Sequence, residues 1–335
     1  MTYFRPIPMT DPARPEGGFC LAGGWCWFDR VEVLERGRAP QVISARDMPR
    51  EARARLSDPR PEFAGLAMDR PRLMGILNVT PDSFSDGGLF IAAGDALAQA
   101  RAMAEGADIL DIGGESTRPG AAPVPVAEEI ARTAPVIAAL RAEGFALPIS
   151  IDTRNAAVAA AAIDAGADLF NDVSALRHDP GSLALAADRG VPVCLMHALG
   201  DPKTMQDAPT YDDVLLDVLD MLEARVAAAE AAGIPKARVL VDPGIGFGKT
   251  VAHNLALVRG LAAFHGLGCA ILFGASRKRF VGTIGDAPVA RDRVPGSIAV
   301  ALEALRQGAQ VLRVHDVTET RQAVALWRAL NGDEE

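Results

Sequence analysis

Short apolar segments alternate with longer amphipathic segments from Arg72 to the end of the chain. Eight apolar segments have the length and composition of buried strands, and they lie at residues 73–77, 109–112, 148–151, 169–171, 191–196, 239–241, 270–273 and 311–314. The Ala-rich stretches between them are typical of helices, as at residues 94–105, 155–165, 211–232 and 295–307. Several helical stretches are followed by a glycine, which is expected to end the helix in the left-handed conformation, at Gly106, Gly166, Gly190, Gly233 and Gly308.

This repeat predicts an α/β fold, a (β/α)8 TIM barrel over residues 71–332 with a small N-terminal extension before it. A doubly wound sheet is the alternative. The count of eight repeats and the polar residues at the carboxyl end of each strand favour the barrel. Residues 1–70 are rich in Pro and Arg and show one alternating segment, Val31 to Leu34, that predicts a strand. We interpret them as a partly ordered extension that could contain a hairpin.

The composition is that of a globular protein, with 49% hydrophobic and 23% charged residues in a chain of 335. A net charge of −9 argues against attraction to nucleic acid or to anionic membranes. No apolar run approaches the roughly 20 residues that span a bilayer, and the amino terminus lacks a signal-peptide core. The four scattered cysteines do not form a disulfide framework. We therefore expect a cytoplasmic protein without nucleic-acid or membrane partners.

Side chains with carboxylate or carboxamide groups lie at the ends of five predicted strands. The active site of a barrel is built from the loops after the strands. Buried polar groups of this kind each cost about 1–3 kcal/mol unless they are hydrogen-bonded. A flat heterocycle with amino and amide edges would satisfy them, whereas a metal cluster would require more His or Cys. The five residues are Asn78, Asp111, Asp152, Asn171 and Asp242.

Positive charge for an anionic ligand comes from Arg118, Arg313 and His315. Asn78 with Asp82 or Asp86 forms a set of hard oxygen ligands. Such a set suits Mg²⁺ that is bound mostly through water and substrate phosphate.

Lys278 follows the seventh predicted strand. The chain has four lysines against thirty arginines, so a lysine at this place indicates that a compact ammonium group is needed. The other lysine near a strand end, in Gly244–Lys249, lies in a segment that superficially resembles a phosphate loop. That segment lacks the GxxxxGK[ST] spacing, so we reject a nucleotide-binding function.

Each of these residues also has a purely structural interpretation. Asp111 could pair with an arginine, Asp152 could cap the helix at residue 155, and Asn171 could satisfy loop backbone. His197, after the fifth strand, is more typical of a structural histidine than of a catalyst. Lys278 could be a solvated loop residue. The coincidence of so many polar groups at one end of successive strands favours a shared site.

Several long motifs are similar to those of the dihydropteroate synthase family, and the resemblance covers about residues 72–317. They are Gly75–Gly88 (GILNVTPDSFSDGG), Asp111–Gly120 (DIGGESTRPG), Ser276-Arg277-Lys278 and Arg313–Asp316 (RVHD). The resemblance implies a transferase that condenses 6-hydroxymethyl-7,8-dihydropterin diphosphate with 4-aminobenzoate to 7,8-dihydropteroate and diphosphate in folate biosynthesis. It also implies Mg²⁺ as cofactor, inhibition by sulfonamides and a homodimer.

The resemblance also implies roles for individual residues. Asn78 and Asp86 would bind Mg²⁺. The pterin ring would be held by Asp152, Asn171, Asp242 and Lys278, and Asp111 would lie deep in the site near the pterin. Arg313 would flank the pterin and, with His315, hold the diphosphate. The 4-aminobenzoate pocket or its loops would include Phe84, Thr117, Arg118, Phe247 and Ser276. Catalysis would depend most on Lys278, Arg313 and Asp152.

The expected chemistry needs no strong general base, since an aniline nitrogen is nucleophilic when neutral. One departure lies at residues 196–201, where MHALGD stands in place of the family's usual Met-His-Met-Gln-Gly. It puts the contacts around the fifth strand in doubt. A pterin-dependent methyltransferase and a noncatalytic pterin-binding homologue are the alternatives. The complete loop at 115–120, Ser276-Arg277-Lys278 and the pair Arg313 and His315 argue against both.

Overall fold

Eight parallel strands close into a barrel in the computed structural model, which describes residues 1–79, 89–115, 123–200 and 205–332. Each strand pairs with its sequence neighbour, and the last pairs with the first, which confirms the (β/α)8 barrel over the doubly wound sheet. The barrel strands are β6 (Arg72–Asn78), β7 (Ile109–Gly113), β8 (Ile149–Asp152), β9 (Leu169–Asp172), β10 (Val193–Met196), β11 (Val239–Asp242), β12 (Ala270–Phe273) and β13 (Val311–Val314). They are buried over almost their whole length, because helices cover the outer face of a parallel barrel.

The helices alternate with the strands as predicted. They are α2 (Leu89–Ala104), α3 (Val126–Ala142), α4 (Ala156–Asp164), α5 (Ser182–Arg189), α6 (Val214–Ala231), α7 (Val251–Arg259), α8 (Arg279–Ile284), α9 (Val294–Arg306) and α10 (Val317–Leu330). Short 3₁₀ helices lie at Lys236–Arg238, Leu261–Leu267 and Ala290–Arg293. Within the described ranges, none of the helices is long and apolar enough to cross a membrane.

Four of the five glycines expected to be left-handed have that conformation. Their φ angles are 110° at Gly166, 62° at Gly190, 95° at Gly233 and 82° at Gly308. The prediction is wrong for Gly106, whose φ is not positive. A Cβ atom there would lie 3.1 Å from a methyl group of Val317 at the start of α10. Close helix packing therefore accounts for this glycine.

The residues before β6 form two small antiparallel sheets and a helix. One sheet has the order β1 (Thr2–Pro6), β4 (Arg30–Glu35) and β5 (Gln41–Ser44), and the other pairs β2 (Phe19–Cys20) with β3 (Trp27–Phe28). A 3₁₀ helix at Ala45–Asp47 and α1 (Arg50–Ser57) follow. The strand expected at Val31 to Leu34 is confirmed as part of β4. The division of the chain at residue 70 stays a prediction.

The end of this segment packs against the amino end of the barrel. Phe63 and Met68 are each 1% exposed and share an apolar cluster with barrel residues such as Met74 and Leu240. The buried guanidinium of Arg60 donates hydrogen bonds to the carbonyl oxygens of His265 (2.9 Å) and Cys269 (3.1 Å). The segment therefore covers one end of the barrel, and the polar strand ends lie at the other.

Candidate active site

One row of residues crosses the carboxyl ends of four neighbouring strands. Asn78 is in register with Gly113, Gly113 with Asp152, and Asp152 with Asn171. Asp111 lies two residues before Gly113 on the same face of β7, one layer deeper in the barrel. The barrel thus brings predicted site residues from separate segments of the chain to one place.

Arg313 joins two of these carboxylates. Its Nε donates to Asp111 Oδ2 at 2.5 Å, and its Nη2 donates to Asp152 Oδ2 at 2.6 Å. The amide of Asn171 donates to Asp111 Oδ2 at 3.2 Å. Asp111 is fully buried, so it requires these partners to be stable there. The structural interpretation of Asp111 as an arginine partner is therefore correct, and its partner is itself a predicted site residue.

Asp152 keeps one oxygen without a partner. Its Oδ1 is buried and accepts no hydrogen bond from the residues that the structure describes. Burial raises the pKa of Asp152 to about 7. The Arg313 guanidinium opposes this rise, and the Asp111 carboxylate adds to it. The alternative role as a helix cap is wrong, since the Ala156 amide at the start of α4 donates to Asp179 (2.9 Å). This oxygen is therefore an acceptor that is available to a bound ligand.

Asp242, Lys278 and Phe247 form a second group beside the first. Asp242 is buried and accepts a hydrogen bond from the Gly244 amide at 2.7 Å. Burial raises its pKa, and the Lys278 ammonium opposes that shift. The Lys278 ammonium donates to the carbonyl oxygen of Ile245 and lies 4.7 Å from the centre of the Phe247 ring. Burial lowers the pKa of Lys278 to about 8, with Asp242 opposing. The side chain is half-buried, and its contacts with Ile245 and Phe247 argue against a freely solvated loop lysine.

Ser276 and His315 meet after the seventh and eighth strands. The Ser276 hydroxyl accepts a hydrogen bond from the His315 amide (3.2 Å) and lies 3.0 Å from His315 Nδ1. Beside them, the guanidinium of Arg277 pairs with Asp316. These two loops are therefore held together at the site.

Four predicted site residues, Phe84, Asp86, Thr117 and Arg118, lie outside the described residues, as does Asp82. In the described ranges, no group of three or more His, Cys, Asp or Glu side chains is arranged to hold a metal ion.

Two buried contacts near the site were not predicted from the sequence: one ion pair and one contact between a lysine and a histidine. Glu115 pairs with Arg154 at 3.1 Å, and Lys249 Nζ lies 2.9 Å from Nδ1 of His197. Burial and the Lys249 charge lower the pKa of His197 to about 2, so this histidine is neutral. The rarity of lysine in this chain was the available signal for Lys249.

A cavity of about 230 Å³ opens on the same face, next to the Phe247 ring. It is bordered by loops that follow β8, β9, β10 and β11, and it is lined by Arg154, Val173, Ser174, Arg177, His178, Ala198, Gly200, Met205 and Phe247. The site thus extends from the buried carboxylates toward solvent.

Comparisons with known proteins agree with this geometry. Residues 74–315 match the model of the family described as pterin binding enzyme, so the chain belongs to the pterin-binding enzymes. Within that class, it is 47% identical over 265 residues to the dihydropteroate synthase of Escherichia coli (strain K12), a match that covers 79% of this chain and 93% of the relative. The chain therefore belongs to the dihydropteroate synthase family, whose members are transferases of folate biosynthesis.

Solved structures give the same result. The dihydropteroate synthase of Xanthomonas albilineans with 4-aminobenzoic acid is 51% identical, with a TM-score of 0.75 over 80% of this chain and 96% of that one. A structure of the enzyme from the same organism in complex with 7,8-dihydropteroate has a TM-score of 0.72 and 48% identity, over 79% of this chain and 95% of that one.

Proposed function

We propose that this chain joins 6-hydroxymethyl-7,8-dihydropterin diphosphate to 4-aminobenzoate and releases 7,8-dihydropteroate and diphosphate. The observation that carries the proposal is the set of buried polar groups at one end of the barrel, with Asp152 Oδ1 left without a partner. A pterin ring has amino and N–H donors along one edge and a carbonyl acceptor beside them, and it is flat enough to enter between strand ends.

The pterin would bind between the two groups of charged residues. Asp152, Asn171 and Asp242 would receive its N–H donors, and Lys278 would donate to a ring acceptor. Asp111 would support the site from below, because it fixes Asn171 and Arg313 through hydrogen bonds of 3.2 and 2.5 Å. Preorganised groups of this kind cost no rearrangement when charge develops.

The reaction breaks the bond between the pterin methylene carbon and the diphosphate oxygen, and it forms a bond from that carbon to the amine nitrogen. The amine loses one proton to solvent, so no strong base is required. We expect bond breaking to run ahead of attack, which leaves positive charge on the pterin. Asp152 and Asp242 would stabilise that charge, while Arg313 and His315 would stabilise the leaving diphosphate.

A magnesium ion fits the donor chemistry at the edge of the site. Asn78 offers a hard oxygen ligand at the end of β6. In the described part of the chain no cluster of acidic or histidine ligands is available, which suits an ion held mainly by water and substrate phosphate. We propose that Asn78 and Asp86 hold it. When bound, Mg²⁺ would neutralise charge on the diphosphate.

The aromatic amine would bind on the solvent side of the pterin. Phe247, which lines the cavity of about 230 Å³, and Ser276 would border that side, and Phe84, Thr117 and Arg118 would complete it. Sulfonamides would compete there as mimics of 4-aminobenzoate. We further propose that the protein acts as a homodimer in the cytoplasm.

The test is turnover by the purified chain of dihydropterin diphosphate and 4-aminobenzoate with Mg²⁺, followed by mass-spectrometric detection of dihydropteroate. Product is expected from the wild-type chain, and strongly reduced product from Asp152→Asn. A chain that binds the pterin without making product would refute the synthase activity and support a noncatalytic pterin-binding protein. Consumption of a methyl donor in its place would support the methyltransferase.

A further inference from the structure

Four successive carbonyl groups in the loop after β11 each accept a hydrogen bond from a different side chain. This segment, Ile245–Gly248, is called the carbonyl cradle below. Its donors come from four separate places in the sequence: Lys278 to Ile245, Gln206 to Gly246 (2.5 Å), Lys249 to Phe247 (3.0 Å) and Tyr211 to Gly248 (2.8 Å). Side-chain donors to four carbonyl groups in a row fix the position of this segment, because each donor would be lost if the loop moved.

The carbonyl cradle packs closely against the loop that follows β10. Gly244 has φ of 68°, and a Cβ atom there would lie 1.8 Å from the carbonyl oxygen of His197. Gly248 has φ of 63°, and a Cβ atom would lie 2.7 Å from Cβ of Leu199. Glycine is therefore required at both positions for two loops to approach this closely.

Lys249 fills the space between these loops. Its side chain is only 3% exposed. Its Nζ contacts His197 Nδ1 at 2.9 Å and the His197 carbonyl at 3.4 Å, in addition to the Phe247 carbonyl. Nothing in the proposed chemistry uses this amine, although burying it is costly. An apolar side chain at this depth would fill the space but would not make these contacts with the His197 and Phe247 carbonyl groups.

The Phe247 ring is the part of the cradle that faces the site. It lies 4.7 Å from the Lys278 ammonium and borders the cavity of about 230 Å³. We propose that Lys249 and Tyr211 are positioning residues that hold Phe247 against Lys278 and so shape the place where the aromatic amine binds. The inference rests on the proposed roles of Phe247 and Lys278.

The test is a double-mutant cycle on the full-length chain. Lys249→Met keeps the volume and removes the amine, and it is expected to raise KM for 4-aminobenzoate about tenfold, because the hydrogen bond that holds the Phe247 carbonyl group is lost and this buried acceptor is left unsatisfied. In the Phe247→Leu background the same substitution should change KM little, because the ring that it positions is gone. Lys236→Met, on the surface with a 3.6 Å pair to Glu230, is the control and should match wild type.

Tyr211→Phe supplies a second route if Lys249→Met does not fold. It removes one hydroxyl from a half-buried side chain and frees only the Gly248 carbonyl. A rise in KM for 4-aminobenzoate that disappears with Phe247→Leu supports the proposal. The proposal would be overturned if KM rises by the same factor with Phe or with Leu at position 247. It would also be overturned if KM is unchanged in Tyr211→Phe. Turnover by the wild-type chain is measured first. A wild-type chain without synthase activity would refute the proposed function, whereas unchanged KM values in an active enzyme would refute only the positioning role.

Discussion

Pterin binding should be strongest in a narrow pH range, because two groups of opposite charge titrate inside the site. Burial raises the pKa of Asp152 to about 7 and lowers that of Lys278 to about 8. The proposed complex needs Asp152 as a carboxylate, to accept from the pterin, and Lys278 as an ammonium, to donate to it. Affinity is therefore expected to fall on the acid side as Asp152 gains a proton and on the alkaline side as Lys278 loses one.

The magnitude follows from the two pKa values. A group that must be ionised costs a factor of ten in affinity for each pH unit beyond its pKa, which is about 1.4 kcal/mol. At pH 5 the apparent affinity for a pterin should therefore be about 100-fold below its value in the range between the two pKa values. Above pH 8 the affinity should fall tenfold for each further pH unit, as Lys278 loses its proton.

Isothermal titration calorimetry with a pterin that lacks the leaving group measures this directly. Asp152→Asn should bind more weakly but lose the acid limb, while Arg313 keeps its contact with Asp111 at 2.5 Å. Any slope that remains in this variant belongs to the ligand or to other groups. If wild-type affinity is flat from pH 8 to pH 5, or if Asp152→Asn keeps the wild-type slope, the assignment of Asp152 as the acceptor is wrong.

Protonation of Asp152 should stabilise the folded protein, whereas it should weaken pterin binding. The pKa of Asp152 rises from 3.8 when unfolded to about 7 when folded, so the folded state binds the proton more tightly. Its contribution is fully present below pH 4 and is lost as the pH rises through about 7, up to roughly 4 kcal/mol. Urea unfolding of ligand-free protein at several pH values, compared with Asp152→Asn, measures this difference.

Four further substitutions test other contacts. Lys278→Arg should fold but lose most of its pterin affinity in calorimetry, because a planar guanidinium does not fit where a compact ammonium contacts the Phe247 ring and a carbonyl group; wild-type affinity would contradict the need for an amine. Phe63→Ala should lower the free energy of unfolding in urea by about 3–5 kcal/mol, because Phe63 is buried against the amino end of the barrel, and KM values should stay unchanged. Arg36→Ala should lower the free energy of unfolding by up to about 1 kcal/mol, because Arg36 follows β4 and forms a 2.6 Å ion pair with Asp217 of α6. Arg38→Ala should lower it less, because the partner of Arg38 lies only three residues away in the chain. Equal losses in these two variants would show that the bridge to α6 adds nothing.

The barrel was predictable because its signal is local. Each strand is a short apolar run, and a polar residue such as Asp152 or Asp242 ends it where the next loop begins. The pairing of Arg313 with Asp111 joins residues that are 202 positions apart. No periodic pattern encodes that contact, and the motifs alone placed both residues in one site without showing that they bind each other.

The carbonyl cradle could not be predicted for a similar reason. Its geometry depends on the close approach of two loops, and the glycines that allow it read in sequence as an incomplete phosphate-binding motif. The docking of Phe63 and Arg60 was also hidden, because the first 70 residues contain few periodic segments. The contacts that hold this region are single buried side chains, with Arg60 bound to carbonyl groups of the barrel.

The balance of charge in the site favours the positive charge that is expected to develop on a bound pterin as diphosphate leaves. Three carboxylates, Asp111, Asp152 and Asp242, face two cations, Arg313 and Lys278, so the fully ionised site carries an excess negative charge. Burial is the main cause of the raised pKa of Asp152; the Arg313 guanidinium opposes the shift, and neighbouring carboxylates such as Asp111 add to it. Positive charge that develops on a bound pterin would relieve the excess and lower this pKa again. The Asp152 carboxylate of the proposed complex would therefore interact more favourably with the pterin as diphosphate departs, and it would stabilise the transition state more than the bound substrate.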